Sequence, residues 1–204
     1  MTTLVLIRHG QTDWNVEGRW QGQTDLPLND RGRQEAQRVA QDLGAFEFAA
    51  LYSSDLRRAL ETAQIIGAAL GLAVTPERRL REINLGVWQG MLSTDIRARY
   101  PDAFRQWHTS PLTVHPPDGE DITALAARVI QAVNEIITRH PGQRIGIVAH
   151  ELPIAVVRCR AMDVGLERLR SMIPATGASQ QVIVTGGLTW AVSKPDGAKV
   201  NNDR

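Results

Sequence analysis

Cysteine is nearly absent from this sequence, with Cys159 the only one. That excludes an intramolecular disulfide and a cysteine-ligated metal cluster, and it fits a reducing compartment. Lysine is almost as scarce: Lys194 and Lys199 are the only two among 23 basic residues. Codon bias is the plain explanation, so the abundance of arginine names no partner. Individual guanidinium groups still offer planar, bidentate recognition of phosphate or carboxylate. Charge of one sign is also missing, since 23 basic residues face 22 acidic ones for a net +1. Nothing in that balance points to nucleic acid or an anionic membrane surface. No apolar run approaches the roughly 18 residues that cross a bilayer. Met1 leads into only Leu4-Val5-Leu6-Ile7 before Arg8 and His9, too short for a signal segment, so a cytoplasmic location is expected.

What is present is an ordinary folding composition: 204 residues, 43% hydrophobic and 22% charged. The expectation is one domain over residues 1–204, with a polar, frayed tail from about 194. Leu4 to Ile7 reads as a buried strand that empties into Arg8, His9 and Gly10. A helix follows from an Asn29 or Asp30 cap, with Ala36, Val39, Ala40 and Leu43 on one face and Gly44 as its stop. Ala49 to Ser53 reads as a second strand. Ser54 or Asp55 is the expected cap of a helix from Leu56 to Leu70, ended by Gly71, and Leu72 to Thr75 as a further short strand. Periodicity fails between Pro101 and Pro117, where one or two short helices and an extended loop are expected, a candidate lid or substrate wall. Asp121 to Arg139 carries the longest helical pattern. Arg144 to Ala149 is another apolar strand ending at a histidine, His150, with a helix from Leu152 to Met162 behind it. Val182 to Thr185 and Leu188 to Val192 flank a Gly186-Gly187 hairpin turn.

Strands alternating with helices predict an α/β fold, three layers with a mostly parallel central sheet. Ligands bind beyond the carboxyl ends of such strands, and His9 and His150 both fall there. Neither a dinucleotide-binding glycine motif nor a phosphate-binding P-loop occurs. His108, His115 and His140 lack metal-ligand spacing, so no metal is expected. Arg8-His9-Gly10 combines a potential anion holder, a nucleophilic imidazole and a glycine that lets backbone approach closely. Taken alone, the tripeptide equally fits a strand-end histidine with a structural role. Glu82, beside Arg81, reads either as a proton donor or as a surface ion-pair partner.

Six segments change that balance: RHGQTDWN at 8–15, RWQGQTDLPLNDRGRQEA at 19–36, YSSDLRRALETA at 52–63, LREINLGVWQGM at 80–91, PPDGED at 116–121 and IVAHELPI at 147–154. Together, and in this order, they resemble the histidine phosphatase superfamily, the phosphoglycerate mutase-like enzymes. The resemblance implies that His9 attacks phosphorus of a phosphomonoester and forms a phosphohistidine that water hydrolyses. It implies a phosphate pocket of Arg8, Arg58 and His150, with Glu82 as proton donor. Asn15, Gln21 and Gly22 are implied as further substrate contacts. It carries no cofactor. Arg57, next to the matching arginine, is expected on a solvated helix face. The cations near His9 are expected to hold it neutral.

Three positions depart from the family pattern. Glu151 follows His150 where glycine is common, and either repels phosphate or recognises a substrate ammonium. Leu85 stands where glycolytic mutases carry tyrosine, and Gly177-Ala178-Ser179 replaces the commoner Asn-Ala-Ser. The stretches from Tyr100 to Trp107 and from His150 to Ile154 resemble the cofactor-independent phosphoserine phosphatase and α-ribazole phosphatase branch. The paired arginines that mutases place before a proline run are missing ahead of Pro116-Pro117. The expectation is therefore a phosphatase acting on a small phosphorylated metabolite, with a phosphoglycerate mutase as alternative. A noncatalytic phosphate- or protein-binding module is a second, and a metal hydrolase a third. A homodimer contact at the last strands remains open, and neither nucleic acid nor membrane is an expected partner.

Overall fold

The computed structural model describes the backbone of residues 1–185 and 189–192 and the side chains of residues 1–178. In chain order the elements are β1 (Thr2–Arg8), α1 (Asp13–Glu17), α2 (Asp30–Leu43), β2 (Ala50–Ser53), α3 (Arg57–Leu70), β3 (Val74–Pro76), α4 (Ser93–Arg99), α5 (Pro101–Thr109), α6 (Ile122–Arg139), β4 (Arg144–Ala149), α7 (Glu151–Ala161), β5 (Ser179–Thr185) and β6 (Thr189–Val192). Short 3₁₀ helices cover Arg78–Leu80, Gly86–Trp88, Pro111–Thr113 and Leu166–Met172. The Gly186-Gly187 turn and the tail from about 194 lie outside the described residues.

The strands form one sheet in the order β3-β2-β4-β1-β5-β6. β3, β2, β4 and β1 run parallel, while β5 is antiparallel to both β1 and β6. β1 lies between two neighbours and is buried on both faces, which explains its unbroken apolar run. Its side chains alternate: Val5 and Ile7 pack with Val39, Leu43, Ala63 and Ile66 of α2 and α3. Leu4 and Leu6 pack on the other face with Leu125, Val129, Val133 and Ile154 of α6 and α7. That is the expected three-layer α/β/α arrangement with a mostly parallel sheet. Among the described residues no helix is long and apolar enough to cross a membrane.

Register places the functional ends together. Arg8 pairs with Ala149 across β1 and β4, and Ser53 pairs with Val148 across β2 and β4. The residues that follow, His9, His150 and Ser54, therefore leave the sheet at one edge.

Several local expectations shift. The cap of α3 is Leu56, which offers no side-chain bond, because both expected caps are engaged elsewhere. Ser54 Oγ meets His150 Nε2 at 2.8 Å, and Asp55 is gripped by Arg81 at 2.6 and 2.7 Å. Asp25 caps α3 instead, accepting from the Arg57 N–H at 2.6 Å. β3 starts at Val74 rather than Leu72, whose N–H donates to the Gly67 carbonyl at the end of α3. Helices α1 and α4 fall in stretches for which the sequence suggested no helix. α1 is closed by a capping box between Thr12 and Asn15, a polar variant of a known start signal. The Pro101–Pro117 stretch holds α5, one 3₁₀ turn and an extended loop, as expected.

Candidate active site

The strand-end edge opens into a cavity of about 300 Å³, lined by Arg8, His9, Asn15, Gln21, Gly22, Arg58, Glu82 and Glu151 among others. His150 lies beneath the surface, fully buried, its ring centroid 5.1 Å from that of His9. The structure thus gathers nine residues from six separated stretches of the sequence around one site.

His9 is 4% exposed. Its Nδ1 lies 2.7 Å from the Gly10 carbonyl oxygen. A carbonyl only accepts, so Nδ1 carries the proton and Nε2 the lone pair. Arg58 Nε donates to that Nε2 at 3.2 Å. Burial is the largest cause holding the His9 pKa well below its ordinary value, and the charges of Arg58 and Arg8 add to it. Cation crowding thus acts as expected but ranks second to desolvation.

Arg58, on the first turn of α3, is 1% exposed. Its Nη1 donates to the Thr24 carbonyl at 2.9 Å and its Nη2 to the Gly22 carbonyl at 2.8 Å. Gly22 presents that carbonyl from a left-handed conformation, φ 51°, which favours glycine. Desolvation lowers the Arg58 pKa to about 10, which leaves it cationic at neutral pH. Arg57, one residue earlier, points to solvent and pairs with Glu61 at 3.3 Å.

Arg8 donates through Nη1 to the Pro174 carbonyl at 2.6 Å and through Nη2 to Glu151 Oε2 at 2.8 Å, while its buried Nε finds no partner among the described residues. Glu151 therefore faces the pocket but is held by a cation. His150 Nδ1 is likewise buried without a partner among the described residues. Buried polar atoms left unpaired are costly; Arg8 lines the cavity, and His150 lies beneath it. Asn15 spends its amide oxygen on the α1 cap, accepting from the Thr12 N–H at 2.9 Å, so its NH2 group is the donor that remains. Gln21 Oε1 is buried and has no partner among the described residues.

Glu82 is 9% exposed and does not pair with Arg81, which binds Asp55. Its Oε1 accepts from the Ile83 N–H at 2.9 Å. Burial, reinforced by the Glu151 charge, raises its pKa to about 7. Sequence reasoning missed the group that fixes the Glu82 backbone. Arg128 of α6 donates to the Arg79 and Arg81 carbonyls at 2.7 Å each and to the Glu82 carbonyl at 3.0 Å, while paired with Glu120. Nothing local marks Arg128 among so many arginines. Also unforeseen were Ser54 as partner of His150, and Arg19, Ser93, Arg170 and Ile173 in the cavity wall.

Comparison with known proteins adds the family. Residues 4–195 match the model of the histidine phosphatase superfamily, branch 1. The chain is 36% identical to phosphoserine phosphatase 1 of Hydrogenobacter thermophilus, over 84% of this chain and 81% of that one. It is 43% identical to glucosyl-3-phosphoglycerate phosphatase of Mycobacterium tuberculosis, over 68% of this chain and 61% of the relative. Among solved structures, Bacillus stearothermophilus YhfR superposes with a TM-score of 0.88 at 38% identity, covering 95% of this chain and 96% of that one. A mycobacterial glucosyl-3-phosphoglycerate phosphatase in complex with VO3 superposes at 0.87 and 32% identity, covering 94% and 97%. With the fold, the strand-end cavity and these matches in agreement, the chain belongs to the histidine phosphatase superfamily and is by class a phosphatase.

Proposed function

We propose that the chain hydrolyses a small phosphomonoester metabolite through a phosphohistidine on His9. The observation that carries this reading is the His9 imidazole: buried, neutral, and held by Gly10 in the tautomer that keeps the Nε2 lone pair facing the Arg58 guanidinium. That lone pair attacks phosphorus and the ester oxygen leaves, so one difficult displacement becomes two easier ones. Arg58 Nε donates to Nε2, and a phosphoryl group bound there takes over that donor. The unpartnered Arg8 Nε and His150 Nδ1 supply further donors to oxygens whose charge spreads in the transition state.

Glu82 protonates the departing oxygen. A carboxylic acid with a pKa near 7 holds a proton in neutral solution and gives it up readily. As carboxylate it then takes a proton from the water that attacks phosphohistidine. The VO3 complex of the mycobacterial neighbour supports an anion pocket in this fold. Glu151 is a pocket-wall residue tethered to Arg8, an arrangement in which it limits repulsion of phosphate.

The test is phosphate release from a panel of phosphomonoesters, run beside a mutase assay with 3-phosphoglycerate. Mass spectrometry of acid-labile phosphate on residue 9 after rapid quench accompanies it. Phosphate release with label on His9 is the expected result. Interconversion of phosphoglycerates with little phosphate release, or label on another residue, overturns the reading.

A further inference from the structure

Four arginines line the cavity, and three of them are already engaged. Arg58 spends its donors on His9, Gly22 and Thr24. Arg8 is bound to Pro174 and Glu151. Arg19 is bound to Glu17 at 2.6 Å and to the Gly90 carbonyl at 2.9 Å. Of the four, only the Arg170 guanidinium makes no hydrogen bond or ion pair among the described residues. A guanidinium carries five donors and keeps its charge at any working pH.

Its placement is fixed by the chain around it. Arg170 belongs to the 3₁₀ helix Leu166–Met172, anchored by the fully buried Leu169. Arg158 of α7 holds the Met172 carbonyl, and Arg8 holds the Pro174 carbonyl. The phosphate-side arginine and the segment bearing Arg170 are thereby tied together. Glu151 pulls on Arg170 electrostatically, yet its carboxylate oxygen bonds to Arg8 at 2.8 Å. Arg170 is exposed on the cavity wall, so its guanidinium is open to an incoming anion, and a charge-assisted fork to a carboxylate is stronger than a neutral hydrogen bond.

We infer that Arg170 is a specificity-determining residue that binds a carboxylate on the substrate, so that the preferred esters are phosphorylated carboxylic acids rather than phosphorylated neutral alcohols; this rests on the cavity being the phosphatase site. Arg8, Arg58 and His9 take the phosphoryl end. Arg170, on the wall, meets the second anionic group with a planar fork that fits a carboxylate.

The matched pair 3-phosphoglycerate and glycerol 3-phosphate tests this, because the two differ only in a carboxylate against a hydroxymethyl group. Phosphate release is measured for the wild-type chain, Arg170→Ala and Arg170→Lys, with 4-nitrophenyl phosphate beside them to report the shared phosphate pocket. The expected result is that the ratio of kcat/KM for 3-phosphoglycerate over glycerol 3-phosphate falls about 10- to 100-fold in Arg170→Ala, mainly through KM. Arg170→Lys recovers part of it, since an ammonium keeps the charge and loses the fork. An unchanged ratio, with 4-nitrophenyl phosphate still cleaved, overturns the assignment of Arg170 and leaves the phosphatase reading standing. A wild-type chain inert toward all three esters overturns the phosphatase reading, and this inference with it.

Discussion

Arg58 Nε stands 3.2 Å from His9 Nε2, on the lone-pair side of the imidazole, and the same guanidinium reaches two carbonyls of the loop that carries Gly22. One side chain therefore sets both the reactive nitrogen and the rim of the pocket. Lysine in its place keeps a charge but cannot span three acceptors in a plane. Arg58→Lys is expected to lower kcat on 4-nitrophenyl phosphate by on the order of 10²- to 10³-fold, the usual cost of losing a preorganised donor to a developing oxyanion. Steady-state kinetics at saturating ester check it, and a variant within threefold of wild type would contradict the role.

Glu82 must be protonated to serve as an acid, and its pKa is raised to about 7. With an alkyl phosphate, kcat should decline above about pH 7. With 4-nitrophenyl phosphate, whose leaving group needs little protonation, that limb should fade. The same shift has a sign in stability. A carboxyl whose pKa rises on folding stabilises the native state below its unfolded value of 4.5, and that contribution is lost as pH climbs through 7. Glu82→Gln removes the ionisation and should be more stable than wild type at pH 8 by roughly 3 kcal/mol, with the difference vanishing near pH 4. Urea unfolding at the two pH values measures it. An equal gain at both would show that charge is not the cause.

Glu151 raises the Glu82 pKa through like-charge repulsion and tethers Arg8. Glu151→Gln should move the alkaline limb of the alkyl-phosphate profile to lower pH and reduce kcat at pH 8 by about threefold, while the limb's steepness stays the same. A pH–rate profile that superimposes on wild type would reduce Glu151 to a tether for Arg8.

How far the sequence reveals this site depends on the kind of interaction. β1, β2 and β4 and the long helices α2, α3 and α6 are legible because burial imposes periodicity on apolar residues. His9 and His150 are legible because parallel strands deliver their following residues to one edge. The choice between the two readings of Glu82 is not legible from spacing: it turns on Arg81 preferring Asp55, a contact 26 residues away in sequence. Arg128 is invisible for the same reason, since polar contacts between distant segments leave no periodic trace. Arg170 is invisible because only the folding of the chain brings it to the cavity wall. The caps of α3 fail likewise, because Ser54 and Asp55 have stronger calls on them in three dimensions than any local rule records.

Gly32 joins the helical layer to the catalytic loop. It lies in the first turn of α2, where its N–H donates to the Asn29 cap at 2.9 Å. A Cβ added there would stand 2.1 Å from the Gln11 carbonyl oxygen, two residues after His9, and the backbone on both sides leaves no flexible side chain to yield. Gly10 approaches Gly32 from the opposite direction, its own Cβ position lying 2.3 Å from the Gly32 carbonyl oxygen. Gly32→Ala must therefore push the loop away from α2, and His9 Nδ1, bonded to Gly10, moves with it. The expected outcome is a stability loss of roughly 1–3 kcal/mol by urea unfolding, with a fall in kcat of at least tenfold, because small displacements of a nucleophile are costly. Gly71→Ala supplies the contrast, for its Cβ position meets nothing within 4 Å and lies at the far end of α3. Left-handed backbone at φ 69° makes it destabilising by about 1 kcal/mol, yet its kcat should stay near wild type. Should both variants lose kcat in proportion to stability, close approach at Gly32 would have no special hold on the nucleophile.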